Sequence, residues 1–189
     1  MKRILLLVLL IGFTNLVRAQ KFEIYGAYGL GSAQEIIDGL SDMGTSLITG
    51  GNASSTTSHG FGPIIVGANY YLTARLTAGV LYSNTSSKST VSAGSTAGSD
   101  YKNTYNVFMA RTDYRYVNKT IQLYSGISLG ASIAKTKPEN GNSTNTASST
   151  DFAYQVNALG IRAGKNIGAF AELGFGYNGI INVGISAKF

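Results

Sequence analysis

The sequence predicts an all-β fold, namely an eight-stranded, antiparallel, up-and-down transmembrane β-barrel. Three observations predict it. Eight segments alternate apolar residues with small or polar ones. The length of each segment is close to that of a tilted strand that crosses a bilayer, about 9–11 residues. The connections alternate between tight turns and long polar segments, as in outer-membrane barrels. The face opposite the apolar one is rich in glycine and small polar residues.

The first residues have the pattern of a cleaved export signal. Lys2 and Arg3 precede an apolar run over 4–13, and small residues occupy the two positions that determine cleavage. The run is shorter than the roughly 20 apolar residues that a membrane-spanning helix requires. We therefore expect a signal peptide over 1–19 and a single barrel domain over 20–189.

Charge and cysteine content exclude several classes of protein. The formal net charge of the chain is +6, and the expected signal peptide holds three basic residues and no acidic one, which leaves +3. No basic run remains, so nucleic-acid binding has no support. Because the chain has no cysteine, it has neither disulfides nor a thiol that a lipoprotein would acylate.

The eight alternating segments are the predicted strands. They lie at 22–30, 62–72, 75–83, 106–117, 120–134, 151–164, 168–177 and 181–189. In the last one, isoleucine, valine, alanine and phenylalanine take the odd positions, and small or polar residues take the even ones. The sixth segment changes parity partway, which predicts a β-bulge near Ala158 and Leu159.

Short connections alternate with long ones. Tight turns are predicted at 72–75, 117–120 and 164–166, and the dipeptide Asn178-Gly179 favours a two-residue hairpin turn. The three long polar segments are 32–60, 84–102 and 136–150. The second contains the stretch 86–99 and the third the stretch 141–150, both rich in serine and threonine. We expect these two stretches to be mobile, because they hold too little apolar area to order themselves.

The first long segment contains a helix signal. Ser32 and Glu35 form a capping-box pattern, and Ile36, Leu40 and Met43 follow at helical spacing. We expect a short amphipathic helix that packs over the outer mouth of the barrel. The alternative is that its apolar face contacts a partner or the lipid surface.

A soluble β-sandwich is the alternative fold. A sandwich would hide its apolar face between two sheets and would need charge on the other face for solubility. A narrow barrel instead points its apolar face outward and fills its interior with side chains of alternating size. Tyr25, Tyr71, Tyr124 and Phe170 among the inward glycines suit the barrel.

These patterns carry a family resemblance. The stretches GPIIVGANYYLTARLTAGVLY, YSGISLGAS, YQVNALGIRAG and GAFAELGFGYNGIINVGISAKF resemble small outer-membrane β-barrel proteins of Gram-negative bacteria, similar in architecture to the OmpX-type barrels. The resemblance implies that outer-membrane lipid surrounds the barrel and that the barrel-insertion machinery is its partner during assembly. It also implies that the terminal Phe189 is an insertion signal. Unlike the full OmpA pattern, nothing follows Phe189, so no peptidoglycan-binding domain is expected.

Two sets of residues are candidates for function. The charged residues predicted to face the lumen, where a compensating ionic network is expected, are Glu172, Arg111, Asp113 and Arg115, with Arg162 as a further candidate. The aromatic residues predicted at the membrane edges are Tyr70, Tyr82, Tyr114, Tyr116, Phe175, Tyr177 and Phe189.

The sequence favours a non-enzymatic surface protein that either contributes to the integrity of the envelope or contacts an extracellular partner through the three long segments. One alternative is a narrow pore for ions or very small solutes, although eight strands leave little space inside. A lipid-modifying enzyme is a weaker alternative, since the one histidine, His59, lies in a serine- and threonine-rich segment with no recognisable catalytic motif. We expect neither a cofactor nor a metal.

Overall fold

The computed structural model describes residues 22–32, 53–93, 99–138 and 146–189, with backbone alone for 53–60, 91–93 and 99. These ranges form eight β-strands and no helix. The strands are β1 (Phe22–Leu30), β2 (Ala53–Tyr71), β3 (Leu76–Ala93), β4 (Ser99–Asn118), β5 (Ile121–Pro138), β6 (Ala147–Gly164), β7 (Ile167–Gly176) and β8 (Ile181–Lys188). Within the described ranges, no helix is long and apolar enough to cross a membrane.

Each strand pairs antiparallel with its neighbours in the chain, and β1 also pairs with β8. The sheet is therefore a closed barrel, as the alternation predicts. The closing seam aligns Glu23 with Lys188 and ends at the terminal residue. There the backbone N–H of Phe189 donates to the carbonyl of Phe22 at 2.8 Å, and Phe22 N–H donates back at 3.3 Å.

Apolar side chains cover the outer wall. Val80, Ile185 and Phe152 are each about two-thirds exposed, and Leu173 is half exposed. A sandwich would have hidden Leu173 and Ile185 between its sheets, so the sandwich alternative is wrong. The inward positions alternate with these and hold glycine, polar residues and a few large side chains.

Local irregularities adjust which residues face inward. The pairing of β6 with β7 shifts register between Asn157 and Leu159, which confirms the predicted bulge at Ala158. The same bulge shifts the pairing of β5 with β6 between Tyr124 and Gly126, and a separate shift occurs in β4 between Arg115 and Val117.

The two ends of the barrel differ. The turn end carries the connections at 72–75, 119–120 and 165–166 together with Phe189, and the loop end is the opposite one. The tight turns are confirmed, but the last connection is longer than predicted. β7 ends at Gly176 and β8 begins at Ile181, with Gly179 at a φ of 112°, so four residues separate the strands rather than two.

Strands β2 to β6 are much longer than predicted. They have 18 to 20 residues, whereas β1, β7 and β8 have 8 to 10. Strand therefore covers 84–93 and 99–102 in the second long segment and 136–138 and 147–150 in the third. The expectation that 86–99 and 141–150 do not order themselves is wrong for the described residues of those stretches. We call the part of β2–β6 that extends past the loop end of the barrel the projecting sheet.

The projecting sheet forms without an apolar pattern because the barrel already fixes the register of its strands. Each added residue then extends an existing ladder of backbone hydrogen bonds. Polar side chains also pair between strands: Thr90 Oγ1 donates to Asp100 Oδ1 at 2.8 Å, and Thr136 Oγ1 donates to Asn103 Oδ1 at 2.8 Å. Buried apolar area alone therefore does not predict the projecting sheet.

Two predictions lie outside the described residues. The expected signal peptide over 1–19 is one of them, and the short helix expected in the first long segment is the other. The backbone of His59 lies in β2, but its side chain is among those not described.

Candidate functional site

The barrel interior is arranged in layers from the turn end to the loop end. The strand β4 shows the order, because its inward side chains are Arg115, Asp113, Arg111, Met109 and Val107 in that direction. Charged residues therefore occupy the turn-end half of the lumen, and apolar residues follow them. The alternation of β4 is what places all three charged side chains on one face.

The central charged layer is built on Arg111. Its Nε donates to Asp113 Oδ1 at 2.9 Å, and its Nη2 donates to Glu172 across the lumen. Glu172 also accepts hydrogen bonds from the hydroxyl of Tyr124 at 2.7 Å and from Asn157 Nδ2 at 3.0 Å. This layer thus joins β4, β5, β6 and β7 through side chains.

A second charged layer lies nearer the turn end and is built on Glu23. Its carboxylate accepts from Arg115 Nη2 at 3.0 Å and from the Tyr71 hydroxyl at 2.8 Å. It also forms an ion pair with Arg162, whose Nε lies 2.8 Å from Oε1 and donates to Ser186 Oγ. Lys188, its partner in the strand register, lies beside this layer. Both layers are almost completely buried.

The ionic contacts satisfy charges that the barrel wall removes from water. Isolated buried charges cost several kcal/mol each unless opposite charges and hydrogen bonds compensate them. Arg162 has additional acceptors at the carbonyls of Gly164 (2.6 Å), Lys165 (3.3 Å) and Asn166 (3.4 Å). The guanidinium therefore also holds the turn between β6 and β7.

The structure thus places all five charged candidates, Arg111, Asp113, Arg115, Arg162 and Glu172, inside the barrel and in two linked networks.

The sequence reasoning missed Glu23, Lys188 and Gln122 as members of these networks. Their signal was present, because Glu23 has the parity of Tyr25 and Gln122 has the parity of Tyr124, both of which were expected inside. Lys188 shares the parity of Asn182 and Gly184 in the last strand. All three lie near strand ends, where a charged or polar residue is easily assigned to the water-exposed rim.

Apolar side chains close the lumen on the loop-end side of the charged layers. This apolar layer consists of Ile65, Leu81, Val107, Met109 and Ala153, each at most 3% exposed.

Beside the apolar layer, the rings of Tyr25 and Phe170 meet edge to face with centroids 5.9 Å apart. Gly67 makes room for Tyr25, since a Cβ at that position would lie 2.4 Å from the ring. Large and small residues therefore alternate inside, as a narrow barrel requires.

Little free space remains between the two charged layers of the lumen. The cavity between the charged layers, bounded by residues such as Glu23, Tyr25 and Glu172, has a volume of about 10 Å³. A water molecule needs about 10–15 Å³, so this cavity holds at most one. A cup of about 530 Å³ lies at the turn end.

The predicted edge aromatics lie on the outer wall. Tyr70, Tyr114, Tyr116, Phe175 and Phe189 are 39–56% exposed.

The other two edge aromatics, Tyr82 and Tyr177, are half-buried. The ring of Tyr177 lies 6.2 Å from that of Tyr154, and Tyr82 lies 5.0 Å from Phe108. Tyr82 therefore belongs to an outer aromatic pair, whereas Tyr177 also packs against the apolar residues of the interior.

Comparison with known proteins gives no family. Neither a protein-family model nor a curated protein matches the chain. Among the residues that the structure describes, no group of three or more histidine, cysteine, aspartate or glutamate side chains could hold a metal ion.

Proposed function

We propose that the chain is a non-enzymatic outer-membrane β-barrel protein that contacts extracellular partners through its projecting sheet and long loops. In this proposal a signal peptide over 1–19 directs export, and the barrel-insertion machinery recognises Phe189. The chain resembles small Gram-negative barrels that lack a periplasmic domain. The observation that carries the proposal is a closed barrel with an apolar outer wall and a filled, ionic interior.

The outer wall supports a membrane setting. Apolar residues on it are exposed in every strand, which in water would be a large apolar surface of the kind that marks membrane or protein contact. The nine residues of β1 rise about 23 Å along the barrel axis at a tilt of about 40°. That height is close to the apolar band of about 25 Å in known outer-membrane barrels.

The interior argues against the pore alternative. The charged layers leave a cavity of about 10 Å³, and the side chains of the apolar layer beyond them offer an ion no ligand in place of its hydration shell. An ion passing through would have to break the Arg111–Glu172 contact and then cross Leu81 and Met109. Among the described residues, no observation favours the lipid-modifying enzyme either.

The projecting sheet supports a role in surface contact. β1 pairs with β2 only as far as Ile64, and β7 pairs with β6 only from Gln155. Beyond those residues, β2 and β6 form the two edges of the projecting sheet within the part of the chain that the structure describes. Such edges carry backbone groups that an extended segment of a partner can pair with. The segments 32–60, 84–102 and 136–150 supply this surface and the loops around it.

Purification tests the membrane setting. The full chain, expressed with its leader in a Gram-negative host, should fractionate with outer membranes and need detergent for extraction. It should also run at a different apparent size on gels with and without boiling. A chain that stays soluble without detergent would contradict the proposal.

Planar-bilayer recordings separate the surface protein from the pore. We expect no steady conductance from the purified chain. The matched comparison is the variant Leu81→Ala with Met109→Ala. It truncates two side chains of the apolar layer and so widens the lumen at that height. A steady open channel in the unaltered protein would contradict the proposal and support the pore.

A further inference from the structure

The turn end of the barrel holds a cup that the proposed function does not use. Its volume is about 530 Å³, and it opens to solvent. The rim consists of the three tight turns, at 72–74, 118–120 and 164–166, and the floor consists of Tyr71, Gln122 and Lys188. Binding sites for small molecules usually fall between about 300 and 1,000 Å³, so this cup has a suitable size.

The charged side chains that line the cup all have one sign. Lys119 and Lys165 lie on the rim, and Lys188 lies in the floor. Arg75 is in the same set of turns, and no acidic residue occurs in 72–75, 117–121 or 164–167.

The floor lysine is a buried cation. Lys188 is 7% exposed, its Nζ donates to Gln122 Oε1 at 2.9 Å, and it lies 4.7 Å from the centroid of the Tyr71 ring. The same Gln122 oxygen also accepts from Arg115 Nη1. Two cations therefore share one neutral acceptor directly beneath the cup.

Charge counting within the lumen shows an excess beside the cup. The layer at the turn end has one carboxylate, Glu23, against Arg115, Arg162 and Lys188. The central layer has the opposite balance, with Arg111 between two carboxylates. The excess of positive charge therefore lies at the floor of the cup. Uncompensated charge in a barrel interior is costly, and an anion held in the cup would lower that cost.

We propose that the turn-end cup binds a phosphate-type oxyanion, either free or as the head of a small phosphorylated molecule. Lysine ammonium groups bind phosphate as point charges, and here three of them surround one space. The hydroxyl of Thr120 also lines the cup and can donate to phosphate oxygens. The side-chain amide of Asn118 donates one hydrogen to the carbonyl of Ala74 and has a second that can reach a phosphate oxygen. The cup is larger than a single phosphate, which leaves room for the remainder of a ligand.

This inference does not depend on the membrane setting. If the proposed function is correct, the cup faces the periplasm, since short turns of outer-membrane barrels lie on that side. Binding in detergent solution, however, tests the cup alone. A barrel that bound phosphate but failed to fractionate with outer membranes would refute only the proposed function.

The test uses the full chain folded in a zwitterionic detergent and titrated with inorganic phosphate and pyrophosphate at constant ionic strength. Isothermal calorimetry and ³¹P NMR should show saturable binding of one anion per chain. Replacing both rim lysines, Lys119→Met with Lys165→Met, should weaken binding at least about tenfold. These two side chains are exposed, so the variant should fold.

The matched control removes two exposed lysines from the other end of β5, Lys135→Met with Lys137→Met, and should change affinity by less than about twofold. Lys188→Met should weaken binding as the rim variant does, and its folding is checked by the gel shift on boiling. Absence of saturable binding by the unaltered chain, or equal weakening in the control, would overturn the proposal.

A lipid arm separates the two sources of phosphate. The barrel is placed in nanodiscs of phosphatidylglycerol or phosphatidylcholine, and retained lipid is measured by native mass spectrometry. Selective retention of phosphatidylglycerol that is lost in the Lys119/Lys165 variant would assign the oxyanion to a lipid headgroup. Saturable binding of inorganic phosphate without such retention assigns it to a soluble molecule.

Discussion

Replacing Glu23 by glutamine tests whether the ionic layer at the turn end stabilises the barrel. The substitution keeps the size of the side chain and removes the single carboxylate among Arg115, Arg162 and Lys188. Two ion pairs, at 3.0 and 2.8 Å, are lost as such. The hydroxyl of Tyr71 keeps an oxygen acceptor, because a glutamine amide still offers one.

The expected loss follows from the contacts that remain. Breaking a buried ion pair by removing one partner typically costs about 3–5 kcal/mol, because the other charge stays buried and uncompensated. Arg162 keeps Ser186 Oγ and nearby backbone carbonyls as acceptors, and Arg115 keeps Gln122. We therefore expect the lower part of that range, a decrease of about 3 kcal/mol in the free energy of unfolding.

Reversible urea unfolding in lipid vesicles measures this value, with the folded fraction read from the gel shift on boiling. The control is Asp151→Asn, which neutralises an exposed carboxylate at the loop end and should change stability by less than about 0.5 kcal/mol. A Glu23→Gln barrel within about 0.5 kcal/mol of the unaltered protein would refute the reasoning. The layer would then be a solvated cluster with no net stabilising effect.

Three further predictions concern packing, assembly and coupling. Gly130→Ala should lower the free energy of unfolding by about 1–3 kcal/mol, because its Cβ would lie against the backbone of β4, whereas Gly26→Ala, with 3.9 Å of clearance, should be nearly neutral in the same urea assay. Deleting Phe189 should reduce the outer-membrane fraction and leave degraded chain, and unchanged folded barrel on immunoblots would contradict this. In a double-mutant cycle, Arg111→Met and Glu172→Gln should couple by about 1–3 kcal/mol, and additive losses would show that the contact is unimportant.

Much of the barrel could be predicted because one physical pattern repeats. Alternation at a period of two assigns each residue to a face, so the eight strands and the inward positions of Arg111, Asp113 and Arg115 follow from it. The bulge at Ala158 was also detectable, since a bulge changes the parity of everything after it.

The partners across the lumen could not be predicted. Arg111 meets Glu172, which lies 61 residues away, because of the stagger between strands. Alternation says which face a residue takes but not its height in the barrel. Glu23 and Lys188 were missed for the same reason. Their height along the barrel axis decides whether each side chain is buried in the lumen or exposed at the rim.

The unequal strand lengths have a consequence for access from outside the cell. β4 has ten residues more than β7, which corresponds to about 25 Å of additional height at the barrel tilt. The headgroup region of one leaflet is only about 5–8 Å thick. In the proposed membrane, antibodies or proteases added to whole cells would reach β3 and β4 near their connection, while the lipid-embedded wall and the charged layers stay protected beneath them.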